Sequence, residues 1–480
     1  MWWSNNFLAK GTQVQGKILI IDAVATNRIM LKIKLLSSFY DVTQATTVAE
    51  ALAIAQRTPP DLVITTFNLP DANATAVCSG LAALPQTARI PVLAIGDNPD
   101  PAIRKTLLSQ GVHDVLTRPV QDALLLGRVR SLIRAYNSSE EWNTRGGTGR
   151  TFGLAESQSG FVHPGHIQLV GDEKRVNHIW ASQLRDMSPN KLTLSTFGDA
   201  LECLRNSTVP DIFVIGLSGN DKNVATQLSM ISSIRSNAVT RHCGILVIQS
   251  IPDELVGANV LDLGADDLMP HGFEVEELSL RLTSLLRRKR QADLNRRCVD
   301  TELREAILDP LTGLYNRRHA LAELTRLAEN TQNTSKGFAV MIADMDHFKR
   351  VNDAFGHASG DAALVETSRR LKSQLRPVDI LARIGGEEFL LILPCITDAD
   401  ATRLAKKICS IFSDAPFTLP NGPTSVSLTI SIGICIATAD TLMARPVNKI
   451  AAELINHADR ALYSAKSLGR NQVRLIRQAA

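Results

Sequence analysis

The sequence contains no Cys-x-x-Cys pair and no apolar run approaching the about 18 residues that a membrane-spanning helix requires. Its seven cysteines (Cys78, Cys203, Cys243, Cys298, Cys395, Cys409 and Cys435) are scattered. That spacing excludes a disulfide framework and a structural zinc site, and it fits a reducing cytosol. The start, Met1-Trp2-Trp3-Ser4-Asn5-Asn6, has neither the basic region nor the long apolar core of a signal peptide. Charge of one sign is also lacking: 52 Lys and Arg face 48 Asp and Glu, a formal net charge of +4, too mild to imply nucleic-acid binding by itself. What is present is a globular balance, 44% hydrophobic and 21% charged. At roughly 150 residues per domain, 480 residues predict about three domains.

Three blocks follow a short segment, 1–16. In 17–136, the apolar runs Lys17–Asp22, Asp61–Thr65, Pro91–Ile95 and Asp114–Leu116 alternate with Ala- and Leu-rich helical stretches such as Val48–Ala55. Uninterrupted apolar strands separated by helices predict a parallel sheet covered on both faces. Residues 137–165 turn poor in aliphatics and rich in Gly, Ser and Thr, which predicts a linker or long surface loop. The block 166–287 repeats the first, with strands at Ile167–Val170, Asp211–Ile215, Gly244–Ile248 and Asp267-Leu268. One offset relates Arg128–Arg134 to Arg281–Arg287 and Gly111 to Gly264, which marks a duplicated domain.

The closing helix of the second block runs on through 288–308 as a polar connector carrying Arg287, Arg288, Lys289, Arg290, Arg296 and Arg297. Without interleaved aromatics this reads as a solvated face rather than a nucleic-acid or acidic-membrane contact. The last block, 309–477, mixes helices with strands at Phe338–Ala343 and Ser427–Ile432.

Chemistry concentrates in that last block. A buried strand runs into Asp344-Met345-Asp346-His347-Phe348-Lys349, placing a carboxylate at a sheet edge, where ligands bind. Downstream, apolar segments flank Gly385-Gly386-Glu387-Glu388, predicting a tight β-hairpin with two acids at its tip and two glycines free to adopt positive φ. Converging carboxylates repel one another unless a divalent cation lies between them. Mg²⁺ usually keeps one or two carboxylates and completes its shell with substrate phosphates. Asp344 with Glu387 fits half of such a shell.

These motifs resemble the GGDEF-domain diguanylate cyclases, in the Gly-Gly-Glu-Glu-Phe variant (385–389). The resemblance runs through Asp309–Arg318, Asp344–Asp353, Phe355–Asp361 and Ala458–Asn471. It implies a mixed central sheet of the nucleotidyl-cyclase, palm-like kind. It also implies condensation of two GTP into cyclic di-GMP with release of pyrophosphate, at an interface between two subunits. Carried over residue by residue, Asp344, Glu387 and the Met345 carbonyl hold Mg²⁺ (or Mn²⁺), and Glu388 assists with metal or hydroxyl activation. Asn352 and Asp361 read the guanine edge. Lys466 and Arg470, read as i and i+4 on one helix, grip the triphosphate, with the Phe348 and Lys349 amides cradling phosphate. Arg376-Pro377-Val378-Asp379 lies where many members carry an Arg-x-x-Asp site for inhibitory product. A supporting Arg of that site is Lys407 here, which keeps charge but loses the planar fork. His347 and His357 read as packing or hydrogen-bonding residues rather than metal ligands.

The first two blocks resemble response-regulator receiver domains, flavodoxin-like and doubly wound, and two of them ahead of a cyclase is the arrangement of PleD-type regulators. The residues of a working receiver are missing. In the first, the acidic pair is Asp22-Ala23, the phosphoacceptor position holds Thr66, the hydroxyl position is Gly96 and the Lys position is Arg118. In the second, Gly171-Asp172, Gly216 and His271-Gly272 stand at the equivalent places. Threonine cannot form an acyl phosphate, and Asp71 reads as a loop acid, so conventional phosphorylation is not expected in either. The expectation is instead a bacterial, cytoplasmic homodimer assembled without phosphate through last-helix surfaces such as 121–135, with the receivers free to dock a protein partner. The competing readings are a cyclic-di-GMP receptor with little turnover, signalling through Arg376 and Asp379, and a DNA-binding regulator. The intact 385–389 motif argues against the first and the lack of a helix-turn-helix signal against the second.

Overall fold

The computed structural model describes residues 14–97, 100–145, 164–200, 209–217, 221–334, 337–420, 425–442 and 447–477. The expected 1–16 segment therefore lies mostly, and the 146–163 part of the expected linker wholly, outside the described residues. The chain divides into two compact units, 1–297 and 298–480.

The first unit holds two like sheets. In 17–136 the order of elements is β1 (Gly16–Ile21), α1 (Ala25–Leu36), β2 (Tyr40–Ala45), α2 (Val48–Arg57), β3 (Leu62–Thr66), α3 (Ala74–Ala82), β4 (Val92–Asp97), α4 (Pro101–Ser109), β5 (Asp114–Arg118) and α5 (Asp122–Arg145). The strands pair in the order β2-β1-β3-β4-β5, all parallel. The second half repeats this: β6 (His166–Val170), α6 (Lys174–Met187), β7 (Lys191–Ser195), β8 (Ile212–Leu217), α7 (Asp221–Ser236), β9 (Gly244–Gln249), α8 (Glu254–Asp262), β10 (Asp267–Met269) and α9 (Val275–Ile307). Its order is β7-β6-β8-β9-β10, also parallel.

Two expectations shift here. Helix α5 continues to Arg145 rather than ending at 136, because 137–145 contain neither Gly nor Pro and nothing breaks the helix before Gly146. The last-helix surface expected to join two chains is occupied within this one. The face of α5 lies on α8, and Leu124, Leu125 and Val129 share a core with Val260, Leu261 and Leu268.

A buried charge cluster seals that contact. Arg128 pairs with Asp114 of its own domain and, at 2.9 Å, with Asp267 of the other. Arg281 pairs with Asp267 at 2.8 Å and with Asp114 at 2.7 Å, and with Glu277 as well. Arg128 and Arg281 are duplicates of each other, as are Asp114 and Asp267, so each domain's arginine reaches both acids. Burial favours the neutral guanidinium of Arg281, but the three acids around it hold its pKa well above the ordinary value. At the rim, Arg130 forks onto Asp262 at 2.8 and 2.7 Å.

The second unit is one six-stranded mixed sheet, ordered β11-β13-β14-β12-β15-β16. Its elements are β11 (Tyr315–Asn316), α10 (Arg317–Thr334), β12 (Phe338–Met345), α11 (Phe348–Phe355), α12 (His357–Ser373), β13 (Ile380–Gly385), β14 (Glu388–Pro394), α13 (Asp398–Asp414), β15 (Ile430–Ala437), α14 (Ala439–Leu442), α15 (Val447–Ser467) and β16 (Val473–Arg477). Strand β12 is buried along its whole length and runs antiparallel between β14 and β15. Alternate residues feed two cores. Met341, Ala343 and Met345 face α11, α12 and α13, while Val340 and Ile342 face α10 and α15. The strand expected at 427–432 begins at Ile430 and continues to Ala437.

Candidate active site

Four chain segments meet at the C-terminal end of β12. Asp344 is the penultimate residue of that strand, opposite Glu388 on β14 and Ser431 on β15. The adjacent amide of Met345 donates to the Glu387 carbonyl at 3.4 Å, which sets the hairpin tip beside the strand end. Of the two hairpin glycines, only Gly386 takes positive φ (40°); Gly385 closes β13 in extended backbone, and Glu388 opens β14 rather than standing at the tip.

Asp344 is only 4% exposed. Lys466, from the last turn of α15, places its Nζ 2.8 Å from Asp344 Oδ2. Burial pushes the Asp344 carboxyl up to about 6. Lys466 pulls the other way, and the nearby charges of Glu387 and Glu388 add to the rise. The Asp344 and Glu387 side chains are thus near enough to feel each other electrostatically. Among the described residues, no group of three or more His, Cys, Asp or Glu side chains is gathered tightly enough to hold a metal alone.

Asn352 and Asp361 come from two different helices, α11 and α12. The Asn352 side chain packs against Gly360, next to Asp361 in the chain: a Cβ at 360 would fall 1.9 Å from the Asn352 Oδ1, so any side chain there displaces that amide. The Phe348 and Lys349 amides open α11, after His347 in left-handed backbone (φ 59°), and first-turn amides have no partner within their own helix.

Lys466 and Arg470 are not successive turns of one helix as expected. Helix α15 ends at Ser467, and Gly469 (φ 117°), Arg470 (φ 64°) and Asn471 (φ 45°) form a left-handed turn. The Arg470 amide donates back to the Ala465 carbonyl at 3.1 Å, so Gly469 stops the helix in the manner of a C-terminal cap.

Arg376 and Asp379 bind each other. The Arg376 backbone amide donates to Asp379 Oδ2 at 2.8 Å, its Nη2 to Oδ1 at 2.7 Å, and its Nη2 also to the Pro394 carbonyl at 2.9 Å. Lys407 stands exposed on α13. Two further groups support the hairpin that motif reading left without a role: Arg383 donates to the Gly386 carbonyl at 2.9 Å and to Asp309 at 3.2 Å, and Asp309 also accepts from the amide and hydroxyl of Thr312. Both positions sit inside or beside the quoted motifs, which was the signal available.

In the first unit, the positions expected to carry receiver chemistry are contacted by residues of the same chain. Asp22, buried, accepts from Arg118 at 2.8 Å, from Asn27 at 3.0 Å and from the Val24 amide at 2.8 Å. Thr66 ends β3, and beyond it the Phe67 ring covers Gly96 so closely that a Cβ would lie 2.3 Å away. In the second domain Trp180 covers Gly216 and stacks on Phe273 at 4.8 Å. Asp71 caps α2 through the Val48 and Ala49 amides, as a loop acid.

No helix among the described residues is long and apolar enough to cross a membrane. The family described as "Diguanylate cyclase, GGDEF domain" matches residues 306–472, and "Response regulator receiver domain" matches 18–130. The response regulator PleD of Caulobacter vibrioides is 30% identical over 469 residues, covering 96% of this chain and 99% of its own. The diguanylate cyclase TpbB of Pseudomonas aeruginosa is 40% identical over 169 residues, 35% of this chain and 37% of its own. The solved GGDEF domain of that protein is 38% identical, covers 35% of this chain and 93% of the domain, and aligns with a TM-score of 0.32. With receiver and GGDEF families both matched and the identity to PleD extending over nearly the whole of both chains, this chain belongs to the PleD-type response-regulator diguanylate cyclases.

Proposed function

We propose that two copies of this chain condense two GTP into cyclic di-GMP and two pyrophosphates. Each 3′-oxygen forms a bond to the α-phosphorus of the other GTP as that phosphorus loses its bond to the bridging oxygen of the departing pyrophosphate. One observation carries the reading: a buried acid at a strand end, an acidic hairpin tip, a lysine and an arginine turn all converge on one sheet edge. Phosphoryl-type transfer needs that combination of positioning and charge neutralisation more than covalent chemistry.

The donor set suits Mg²⁺ or Mn²⁺, hard cations that take carboxylate and carbonyl oxygen. Asp344, Glu387 and the Met345 carbonyl would hold it, short of a full shell, leaving positions for phosphate oxygens. When bound, the metal neutralises charge on the phosphates and polarises the attacked phosphorus. Lys466 leaves Asp344 for the triphosphate, which it grips with Arg470, while the Phe348 and Lys349 amides bind phosphate oxygens. Asn352 and Asp361 bind the guanine edge; an acid accepting from N1–H and N2–H selects guanine over adenine. Glu388, opposite Asp344 in the sheet, would help hold the metal or take the hydroxyl proton.

Arg376 and Asp379, paired with each other, open to bind product and lower turnover, with Lys407 as a weaker helper. The receiver domains act as dimerisation and adaptor modules without conventional phosphorylation. Salt-bridged Asp22 and the Phe67 and Trp180 plugs support this. Because α5 is engaged within the chain, two chains pair through another surface. Incubation of the purified chain with GTP and Mg²⁺ tests the reading. Cyclic di-GMP and pyrophosphate in a ratio of one to two are expected, with higher steady-state product from Arg376→Ala. Absence of cyclic product, with product still bound, would favour a receptor.

A further inference from the structure

Asp346 lies one residue beyond β12 and is only 3% exposed, and among the described residues it forms no ion pair with an arginine or lysine. Its carboxylate instead accepts three hydrogen bonds. Thr429 Oγ1 donates to Oδ2 at 2.7 Å, the Asn471 amide to Oδ2 at 3.0 Å, and Ser431 Oγ to Oδ1 at 2.8 Å. Its own amide donates to the Thr429 carbonyl at 2.9 Å. A buried carboxylate so fully occupied is a fixed post.

What it fixes is the turn after α15. Arg470 and Asn471 both adopt left-handed backbone, which costs a non-glycine residue energy and persists only where the surroundings hold it. The Asn471 amide is held by Asp346, immediately beside Arg470. The end of β12 is therefore tied to the α15 region twice, by Asp344 to Lys466 at 2.8 Å and by Asp346 to Asn471 at 3.0 Å. When Lys466 turns to a triphosphate, the first tie is released and the second remains.

We infer that Asp346 is a positioning residue for nucleotide binding: it holds the 469–471 turn so that Arg470 stays aimed at the phosphates after Lys466 leaves Asp344. The inference rests on the proposed phosphate role of Arg470. It assigns Asp346 no contact with substrate.

The test is equilibrium binding of 3′-deoxy-GTP, which lacks the attacking hydroxyl and cannot react, to the full chain with Mg²⁺. Asp346→Ala and Arg470→Ala should each weaken binding about tenfold, in the range seen when a group supporting a ligating residue is removed. The double variant should be no weaker than the worse single one, because both remove the same aimed guanidinium. Asp346→Asn should stay close to wild type: its amide oxygen accepts from Thr429 and Asn471, and its NH₂ donates to the Ser431 hydroxyl. Unchanged binding by Arg470→Ala would overturn the phosphate role of Arg470 and this inference with it. Weakened binding by Arg470→Ala with none from Asp346→Ala, additive losses in the double variant, or failure of Asp346→Asn to restore binding would overturn the inference alone. Should Asp346→Ala not fold, hydrogen exchange of the wild-type Asn471 amide decides. Protection kept or increased on binding 3′-deoxy-GTP is expected; protection lost would overturn it.

Discussion

The raised carboxyl of Asp344 makes metal affinity depend on pH in a way an ordinary aspartate would not. Its pKa of about 6 comes chiefly from burial, offset by Lys466 and increased by Glu387 and Glu388. A raised pKa means the protonated form persists to higher pH, so a cation must displace a proton at any pH below about 6. About nine-tenths of Asp344 is ionised at pH 7 and about one-tenth at pH 5, so the apparent association constant for metal falls about tenfold across that interval. A carboxylate at the ordinary 3.8 would stay almost fully ionised over the same range. Titrating Mn²⁺ into the nucleotide-free chain by electron paramagnetic resonance, from pH 8 to pH 5, measures this without phosphate protonation entering the curve. Replacing Lys466 by Met removes the cation at 2.8 Å and should move the midpoint above pH 6. Affinity that stays flat down to pH 5, or a midpoint indifferent to Lys466→Met, would refute the assignment of Asp344 as a buried metal ligand.

Other outcomes follow from geometry. Arg281→Met leaves Asp114, Asp267 and Glu277 without one of their cations in a buried site, and should cost the first unit about 3–5 kcal/mol in a denaturant titration. A loss below about 1 kcal/mol would mean the cluster is well hydrated. Gly360→Ala drives a methyl into the Asn352 amide and should weaken 3′-deoxy-GTP binding about tenfold while leaving Mn²⁺ binding intact, as read by the same two titrations. Incubation with acetyl phosphate should add no phosphate to intact mass and leave activity unchanged, since Asp22 is already bonded to Arg118 and Thr66 stands at the acceptor position.

The parts legible in the sequence are those where burial is uniform. Strands β1, β3, β4, β8, β9 and β12 each carry a continuous apolar run of three or more residues because both faces are covered there, and each run is legible within a residue or two of the strand's ends. The edge strands β2 and β7 are not legible in the sequence. Tyr40–Ala45 alternates buried and exposed positions and Lys191–Ser195 is only half-buried, so neither shows a continuous apolar run. The duplicated closing helices stood out as a repeat, but not the use of Arg128 and Arg281, since an arginine in a polar helix ordinarily faces solvent. Motif position puts Asp344 at the end of a buried strand and Glu387 at a hairpin tip, as the fold has them, but sets Glu388 at the tip as well, where it instead opens β14. The separation of Lys466 from Arg470 is not legible, because helical spacing continues on paper through a glycine that in the folded chain reverses φ. Arg383 and Asp346 act across long sequence distances, to Asp309 and to Asn471, and such pairings exist only once the sheet is assembled.

If each chain carries half a site built on Asp344 and Glu387, cyclic product needs two competent halves. Mixing wild type with Glu387→Gln at fixed total concentration, after exchange of subunits, tests it most directly. Cyclic di-GMP formation should fall with the square of the wild-type fraction, and Glu387→Gln alone should form none. A linear fall, or cyclic product from Glu387→Gln alone, would mean that one competent half, or another metal-binding set, suffices.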